Sequence, residues 1–550
     1  MSSYTVGGTS FFRAASVCPR RGVYQTGGAS TTAWWFALDG EGLIRDLKKR
    51  RDLLVPAANE FYERLSKWVD VQGTDEDDVA RVTREADGSA VLEVSLARGG
   101  AAPYFRRRFL PKETEEVRVF LYGGADRFEA TGPRGPITFR VSGGPGRDRL
   151  DDSKSGGTRL YDVDEDEVAK GPGTGVSTRA WTRVPYKAET PWMEKPDFGS
   201  LTLFQPLVWW EPDPGVVLFA GATRYGYGFR KEPYSSMQRY SLEYKTKRNA
   251  FGANYTGDFR WARPGFATLI ELSADGAKNY NFYGFGNESV QVNDDFNEAH
   301  QKIFSAFPSL LAFENHRRTV SFVIGPEAKF AQNGAEDNTL IATEQPYGFG
   351  DFGQLGGRVL FHVDTRGRLL TGLGPAGMAP GSSRSDTGLK LDIEGRVYPK
   401  AWDVEETFGL TWGELVGYWQ VASPVTLAAR AGGQKNWGKY PWHESAFIGG
   451  SDSVRGYDRN RFAGDSSAYG NAQIMLSLFH VNLVLPLRLG VIGLADVGRV
   501  WVAGETSDKW HTAAGGGLFV RVNATQLAGH ALLVHGDEGT KFYVNIGFGI

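Results

Sequence analysis

The 550-residue sequence contains a single cysteine, Cys18. A disulfide within the chain is therefore excluded, and a zinc site built from several cysteines is disfavoured. Histidine is also scarce, with eight residues spread along the chain. The sequence contains no nucleophile elbow, no phosphate-binding glycine loop and no His/Asp series suited to holding two metals. These absences predict that the protein is not an enzyme.

Strong charge and long apolar runs are absent as well. The 62 basic and 64 acidic residues leave a net charge of -2, which gives no reason to expect a nucleic-acid partner. No stretch approaches the roughly 18 apolar residues of a membrane helix. The apolar run at residues 33–38 is too short and too far from Met1 for a signal peptide. Either the protein is cytoplasmic, or an export signal lies upstream of Met1; the strand pattern described below favours the second interpretation.

Glycine and aromatic residues are abundant, with 71 glycines and 13% aromatics, which indicates a large β protein with many turns. Residues 1–40 show no periodicity and are predicted to be irregular. A helix is predicted from Leu43 to Val69, because apolar residues recur at spacings of three and four. The residues in this apolar stripe are Leu54, Ala58, Phe61, Leu65 and Trp68.

A basic run, Lys48 to Arg51, precedes that stripe. It is compatible with contact to an anionic surface, but the pattern favours a solvated helix face.

After the helix, alternation of period two between Asp78 and Ser153 predicts a small β module, so that residues 41–160 form one helix-plus-β unit. Residues 161–195 are predicted to be a linker, because an acidic run is followed there by a Gly/Pro-rich run.

Two glycine-rich segments of the module suggest a metal site. "GGPGRDRLD" (Gly143 to Asp151) fits a nonapeptide that binds calcium in β-rolls, and "GGADRF" (Gly123 to Phe128) is a partial copy. The candidate ligands are Asp126 and Asp148. Calcium takes six to eight oxygens, usually from stacked repeats, so the pattern favours two glycine turns with local hydrogen bonds. No other cofactor is expected.

Residues 196–550 read as a long series of strands, each with one apolar and one charged face. In "GLKLDIEGRVY" (Gly388 to Tyr398), apolar side chains alternate with charged ones. About 16 such segments are present, most of ~10 or more residues, which is the length that a tilted transmembrane strand requires. Loops of unequal length and a chain that ends within a strand favour a membrane barrel over a soluble sandwich or propeller.

One pair of charged residues stands out in this region. The loop "GGSDSVRGYDRNR" (Gly449 to Arg461) contains Arg455, and the otherwise apolar strand "LGVIGLADVGRVW" (Leu489 to Trp501) carries one carboxylate, Asp496. A carboxylate facing lipid would be costly, so Asp496 is expected to face the lumen and to need a partner. The planar fork of an arginine fits a carboxylate with two parallel hydrogen bonds.

"GGSDSVRGY" followed by "LADVG" resembles the BamA/TamA-type outer-membrane assembly superfamily over residues 196–550. The resemblance implies an all-β, 16-stranded antiparallel transmembrane barrel after a helix-plus-β periplasmic module. It also implies that an extracellular loop folds its V-R-G-F/Y tip into the lumen, against the aspartate of an aromatic-x-D-x-G motif. Leu494 stands where that motif usually has an aromatic. The implied loop–lumen latch consists of Val454, Arg455, Gly456, Tyr457, Asp496 and Gly498.

The last strand, "KFYVNIGFGI", resembles an outer-membrane assembly signal, with Tyr543, Phe548 and Ile550 as its candidate residues. It departs from that pattern by ending in isoleucine and by having Asn545 where glycine is usual. "NFYGFGNES" (Asn281 to Ser289) resembles an extracellular-side loop of relatives whose barrel follows a metallophosphoesterase.

The implied function is insertion or translocation of protein or lipid at the outer membrane, with the N-terminal part in the periplasm. The expected partners are the outer-membrane bilayer, a protein or lipid substrate, and the general assembly machinery for the barrel's own insertion. The alternative is an anchor or export conduit for a metallophosphoesterase- or patatin-like hydrolase encoded upstream. Residues 1–195 do not fit the βααββ pattern of POTRA modules, which weakens a general assembly role. A tucked loop argues against a passive pore.

Overall fold

The structure, a computed structural model, describes residues 33–98, 102–163, 165–178, 199–261, 265–293, 295–315, 319–365, 387–422, 424–482, 486–522 and 528–546. It divides into two compact units, residues 1–191 and 192–550. Among the described residues, no α-helix combines the length and the hydropathy needed to cross a membrane.

The described part of the first unit consists of one long helix and a set of short strands. The helix, α1, spans Ala33–Lys67. The strands are β1 (Trp68–Gln72), β2 (Asp78–Arg84), β3 (Ala90–Leu96), β4 (Phe105–Phe109), β5 (Glu116–Phe120), β6 (Arg127–Thr131), β7 (Thr138–Ser142), β8 (Arg149–Lys154), β9 (Arg159–Tyr161), β10 (Glu167–Ala169) and β11 (Gly175–Ser177).

From β5 onward the chain alternates between two sheets and forms stacked parallel coils. One sheet has the order β1-β5-β7-β9-β11, with every neighbouring pair parallel. The other has the order β10-β8-β6-β2-β3-β4, parallel except for the β2–β3 and β3–β4 pairs. Alternating side chains from both sheets, including Leu92, Val117 and Phe139, are buried between them and form the core of this unit.

A row of aspartates links successive coils. The backbone N–H of Asp78 donates to Oδ1 of Asp126 (2.7 Å), that of Asp126 to Oδ1 of Asp148 (2.9 Å), and that of Asp148 to Oδ1 of Asp166 (3.0 Å). Asp126 and Asp148 are both buried, and their Oδ2 atoms have no hydrogen-bond partner among the described residues. The two aspartates therefore serve as acceptors for backbone amides between coils.

This arrangement gives the calcium prediction for Asp126 and Asp148 no support. Each carboxylate already accepts one backbone N–H, whereas calcium requires six to eight oxygen ligands. In the described part of the chain, no group of three or more His, Cys, Asp or Glu side chains is placed to hold a metal ion. The hydrogen bonds run between coils, whereas the alternative interpretation placed them within single turns.

Three boundaries differ from those predicted for the first unit. The helix predicted to reach Val69 ends at Lys67, and Trp68, assigned to its apolar stripe, is the first residue of β1. Residues 33–40, expected to be irregular, belong to α1. Gly40 and Gly42 lower the stability of the helix there but do not end it. Strands β10 and β11 lie within the predicted linker, residues 161–195. The acidic and Gly/Pro-rich runs there form corners between coils. Such corners have the same composition as a linker. Residues 179–195 lie outside the described residues.

The second unit is a closed barrel of sixteen strands, each antiparallel to its neighbours, and the predicted fold class is confirmed. The first eight wall strands are β12 (Ser200–Glu211), β13 (Gly215–Gly228), β14 (Lys231–Lys245), β15 (Ala250–Arg260), β16 (Ala267–Asn281), β17 (Glu298–Glu314), β18 (Val320–Asn333) and β19 (Phe352–Asp364). The next three are β20 (Gly388–Tyr398), β21 (Phe408–Ala422) and β22 (Val425–Trp437).

The loop after β22 contains a one-turn 3-10 helix, Trp442–Glu444, and a small hairpin of β23 (Ala446–Ile448) and β24 (Phe462–Gly464). The wall continues with β25 (Ser466–Asn482), β26 (Pro486–Trp501), β27 (His511–Val522), β28 (Ala528–Gly536) and β29 (Gly539–Ile546). Another short helix, α2 (Leu340–Glu344), lies between β18 and β19. The barrel closes where β29 meets β12, at the pair Trp210 and Val544.

Strand alternation determines which side chains face outward. On β20 the apolar residues Leu389, Ile393 and Val397 are exposed on the outer surface, whereas Glu394 is buried inside. Outward apolar and inward polar faces are what a barrel surrounded by lipid requires. Because the number of strands is even, the chain enters and leaves at one end. The loop after β22 lies at the opposite end.

The aspartate row makes the stability of the first unit depend on pH. Burial raises the pKa of Asp126 from 3.8 to about 7, and that of Asp148 to about 6. Between about pH 4 and 7 the folded chain keeps protons that the unfolded chain releases. Stability is then full below about pH 4 and falls as pH rises to 7, by at most about 1.4 kcal/mol per pH unit for each group. Hydrogen exchange of β6 and β8 in the full chain, corrected for intrinsic rates, measures this loss.

The substitution Asp126→Asn keeps the Oδ1 acceptor and removes the titration. It is expected to make amide protection in β6 less dependent on pH, while Glu85→Gln, an exposed carboxylate of the same unit, leaves the dependence unchanged. Equal pH dependence in wild type and Asp126→Asn would show that Asp126 does not carry the effect.

Candidate functional site

The loop between β22 and β25 folds into an ordered turn. Its β23–β24 hairpin projects residues 449–461 as a tip. Within this tip, the backbone N–H of Gly449 donates to Oγ of Ser453 (2.7 Å), and that of Gly450 donates to the carbonyl of Tyr457 (3.2 Å). The tip therefore has a defined backbone conformation, and its side chains can be matched to positions on the barrel wall.

Arg455 and Asp496 form a buried pair between the tip and β26. Arg455 donates through Nε to Oδ2 of Asp496 (2.8 Å) and through Nη2 to Oδ1 (2.7 Å). The backbone N–H of Arg455 donates to the same Oδ2 atom (3.0 Å). Arg455 is 5% exposed and Asp496 is 3% exposed. A bidentate pair with a third, backbone hydrogen bond fixes the orientation of the tip as well as its position.

Asn471 supports this pair from the neighbouring strand. It lies opposite Asp496 in the β25–β26 register. Its Nδ2 donates to the carbonyl of Ser453 in the tip (2.6 Å), and its Oδ1 accepts from Nε of Arg430 on β22 (2.7 Å). This contact could not be predicted from the sequence, because an asparagine on a lumen-facing strand is not distinctive.

Gly456 brings the backbone of the tip against β27 and β28. Its φ of 96° lies in the left-handed region, which favours glycine. A Cβ at this position would lie 3.0 Å from Cβ of Ala513 and 3.1 Å from the backbone nitrogen of Gly536. Both the backbone conformation and the close approach therefore require glycine here.

Tyr457 and Val454 contact different strands of the barrel wall. The hydroxyl of Tyr457 donates to the carbonyl of Thr512 (3.1 Å) and accepts from the backbone N–H of Asp537 (3.3 Å). Val454 is fully buried against Gly498, where a Cβ would lie 2.7 Å from Cγ2 of the valine. The structure thus brings together all six residues of the predicted latch.

The predicted C-terminal signal is only partly within the described residues. Tyr543 is buried, and its hydroxyl accepts from the backbone N–H of Gly456 (3.1 Å), so it contacts the latch. Phe548 and Ile550 lie outside the described residues. The structure therefore gives Tyr543 a contact that the sequence pattern did not indicate.

Other polar contacts connect the tip with the two strands that close the barrel. Nζ of Lys541 on β29 donates to Oδ1 of Asp458 (2.5 Å). The backbone N–H of Arg459 donates to Oδ2 of Asp213 in the β12–β13 turn (2.9 Å). Burial, together with the charge of Asp458, raises the pKa of Asp213 to about 6. These contacts join residues far apart in sequence, which is why the sequence did not reveal them.

A second anchor precedes the hairpin in the same loop. Glu444 accepts from Nζ of Lys329 on β18 (2.8 Å) and from Nε2 of Gln354 on β19 (2.7 Å). The loop thus contacts β18 and β19 through Glu444, and β26 to β29 through its tip. Since these strands belong to different parts of the wall, the loop extends across the lumen.

The "NFYGFGNES" segment also contacts this loop. The backbone N–H of Gly286 donates to the carbonyl of Ala463 (2.9 Å). Nδ2 of Asn287 donates to the carbonyl of Val500 (2.8 Å), and its backbone N–H donates to Glu505 (2.6 Å). The segment therefore holds the loop that bears the tip together with the loop after β26.

We predict that Arg455→Ala releases the tip, because it leaves the Asp496 carboxylate buried without its partner. Removing one member of a buried pair costs about 3–5 kcal/mol. Arg455→Lys keeps the charge but loses the two parallel hydrogen bonds, so an intermediate effect is expected.

The readouts for both variants are gel mobility of the unboiled protein and tryptic cleavage after Arg459 or Arg461. The control is Arg106→Ala at an exposed arginine of the first unit. Unchanged trypsin resistance in Arg455→Ala would contradict this role.

Gly456→Ala is expected to displace the tip through crowding against β27 and β28. Gly504→Ala is the matched control, since Gly504 also has a positive φ (86°) but a Cβ added there would meet nothing within 4 Å. Trypsin sensitivity of the tip should therefore rise for Gly456→Ala and stay near wild type for Gly504→Ala. If both variants became equally sensitive to trypsin, backbone strain at a positive φ would explain the effect, and crowding against β27 and β28 would not be needed.

Comparison with known proteins identifies similar families and folds. The family model "Haemolysin secretion/activation protein ShlB/FhaC/HecB" matches residues 410–522, the part of the barrel that contains both Arg455 and Asp496. No curated protein matches the chain.

Among solved structures, BamA from Haemophilus ducreyi lacking POTRA domains 1–3 is 12% identical, with a TM-score of 0.44; the match covers 63% of this chain and 69% of that one. CdiB from Escherichia coli is 12% identical, with a TM-score of 0.41 and coverage of 68% and 65%. CdiB from Acinetobacter baumannii is 13% identical, with a TM-score of 0.38 and coverage of 63% and 59%.

These structural likenesses are distant, so the fold assignment rests on the strand pairing of this chain. That pairing gives a closed barrel of sixteen antiparallel strands with an outward apolar face. The family-model match covers the region in which the loop tip is held against Asp496, so over residues 410–522 this outer-membrane barrel is similar to that family.

Proposed function

We propose that this protein inserts or translocates protein substrates at the outer membrane, with the first unit in the periplasm. The observation that carries this proposal is the loop tip held inside the barrel by Arg455 and Asp496. The family whose model matches residues 410–522 is described as acting in haemolysin secretion and activation. That description favours a protein substrate over a lipid one.

The geometry suggests how such a barrel stays closed at rest. Arg455 holds the tip at β26, and Glu444 holds the same loop at β18 and β19. A buried charge pair is stable while its partners remain in contact, but either charge is costly to leave buried alone. A substrate that competes for either partner would therefore release the loop, and in its absence the lumen remains obstructed.

The first unit provides a different periplasmic surface from POTRA modules. Its described part has one long helix followed by parallel coils rather than βααββ units. We propose that substrate capture occurs on this surface or directly at the barrel. The protein would act by transport rather than catalysis, and the general assembly machinery would insert the barrel itself. No observation favours the alternative of an anchor for a hydrolase domain.

Reconstituted vesicles test this proposal. The probe is a urea-denatured eight-stranded outer-membrane barrel, whose insertion is followed by its heat-modifiable gel mobility. Vesicles containing the full chain should accelerate insertion over protein-free vesicles, and Arg455→Ala should lose most of that acceleration. In planar bilayers the same variant should conduct more than wild type, because the loop no longer obstructs the lumen. Lys400→Ala, at an exposed position of the loop between β20 and β21 that does not contact the latch, is the control for both measurements.

Two results would contradict the proposal. If wild type fails to accelerate the probe and also fails to pass an unfolded polypeptide between compartments, a role in insertion or translocation is excluded. If wild type conducts steadily at the level of Arg455→Ala, the loop does not obstruct the lumen and a passive pore becomes the better description.

A further inference from the structure

Helix α1 displays an apolar face that the described structure does not cover. Leu43, Leu54, Phe61 and Leu65 are 43%, 47%, 55% and 53% exposed. At 100° per residue these residues and Leu47 fall within an arc of about 40°, although Pro56 separates Leu43, Leu47 and Leu54 from Phe61 and Leu65 within the helix. An apolar face of this kind normally packs against another surface. Its exposure on a helix of 35 residues requires an explanation.

The helix is held to its unit by a different edge. The hydroxyl of Tyr62 donates to Oε2 of Glu113 (2.9 Å), and Oγ of Ser66 lies 3.4 Å from the carbonyl of the same residue. Tyr62 and Ser66 lie roughly 60–140° around the helix from the apolar face. Docking of α1 onto the strands therefore leaves the apolar face directed elsewhere.

The first half of the helix is strongly basic. Between Leu43 and Arg51 the sequence has five basic residues and one acidic residue, Asp46: the basic ones are Arg45, Lys48, Lys49, Arg50 and Arg51. Lys49 and Arg50 are exposed, while Arg51 donates to Asp52 (2.8 Å). At 100° per residue, Arg50 and Arg51 border the apolar face, and Lys48 and Lys49 lie on the polar side. Basic residues on the polar side of a helix whose other face carries leucine and phenylalanine are the pattern of a helix that lies in a membrane interface.

We propose that α1 lies on the surface of an anionic phospholipid bilayer. Its apolar face enters the boundary between headgroups and acyl chains, and Arg50, which borders that face, contacts lipid phosphates. The basic cluster favours this occupant, because a second copy of the helix would bring like charges together. A bilayer is also available as the occupant, since the same chain forms a transmembrane barrel. This interaction is independent of the latch and of the function proposed above.

A single-cysteine label on the full chain tests the proposal. In a Cys18→Ser background, Phe61→Cys carries an environment-sensitive fluorophore, and Glu63→Cys, on the opposite face, carries it in the matched control. The protein is reconstituted into phosphatidylcholine vesicles with or without phosphatidylglycerol, and quenching by lipid-borne spin labels is measured. The label at 61 should be quenched in vesicles containing phosphatidylglycerol, and the label at 63 should not.

Charge reversal separates electrostatic attraction from general hydrophobic contact. The double variant Lys49→Glu/Arg50→Glu should weaken the association of the helix with the membrane by on the order of tenfold, and quenching at 61 should fall accordingly. High salt should act in the same direction. Lys112→Glu/Arg147→Glu, two exposed basic residues in turns of the same unit, makes the same change in net charge and should leave quenching intact.

Three outcomes would overturn the proposal. Equal quenching at 61 and 63, or none at either position, would show that this face does not enter the bilayer. Shielding of the label at 61 in detergent that increases with protein concentration would identify a second copy as the occupant. Shielding in detergent that is independent of concentration would indicate that another segment of the chain covers this face.

Discussion

The buried pair of Arg455 and Asp496 is the interaction that fixes the loop tip inside the barrel. Asp496 lies on a wall strand whose other inward neighbours are largely small or apolar, so its carboxylate needs a partner inside the lumen. The guanidinium supplies two hydrogen bonds and the backbone of the same residue supplies a third. Because all three arise from one residue of the tip, the rest of the loop is positioned with it, including the close approach of Gly456 to β27 and β28.

The alternation of the strands creates the environment in which this pair operates. Apolar side chains directed outward leave the charged ones inside, where they form ion pairs within a strand and between strands. Arg358 and Arg396 both bind Glu394, and Glu444 of the loop accepts from Lys329 of the wall. The loop is therefore part of a polar interior, held by charges at one part of the wall and by the Arg455 pair at another. Displacing the loop would break contacts at both parts of the wall.

The sequence predicted the features that depend on local pattern. Alternation over long strands indicated the barrel, and one carboxylate on an apolar strand identified Asp496 and its need for an arginine. The contacts of Asn471, Asp213 and Lys541 were not predicted, because barrel closure sets them between residues far apart in sequence. Strands β10 and β11 were mistaken for a linker, since the corners between parallel coils use the same glycine, proline and acidic residues as a flexible segment.

Accessibility of the tip in a lipid bilayer tests the central claim most directly. In a Cys18→Ser background, Val454→Cys places a thiol at a fully buried position beside Arg455, and alkylation by a membrane-impermeant maleimide reports its exposure. Gly504→Cys, at an open position of a neighbouring loop, gives the rate for an accessible thiol. The account predicts that Val454→Cys is protected in otherwise wild-type protein and becomes reactive when Asp496→Asn is added. Alkylation of Val454→Cys at the rate of Gly504→Cys before that addition would contradict it.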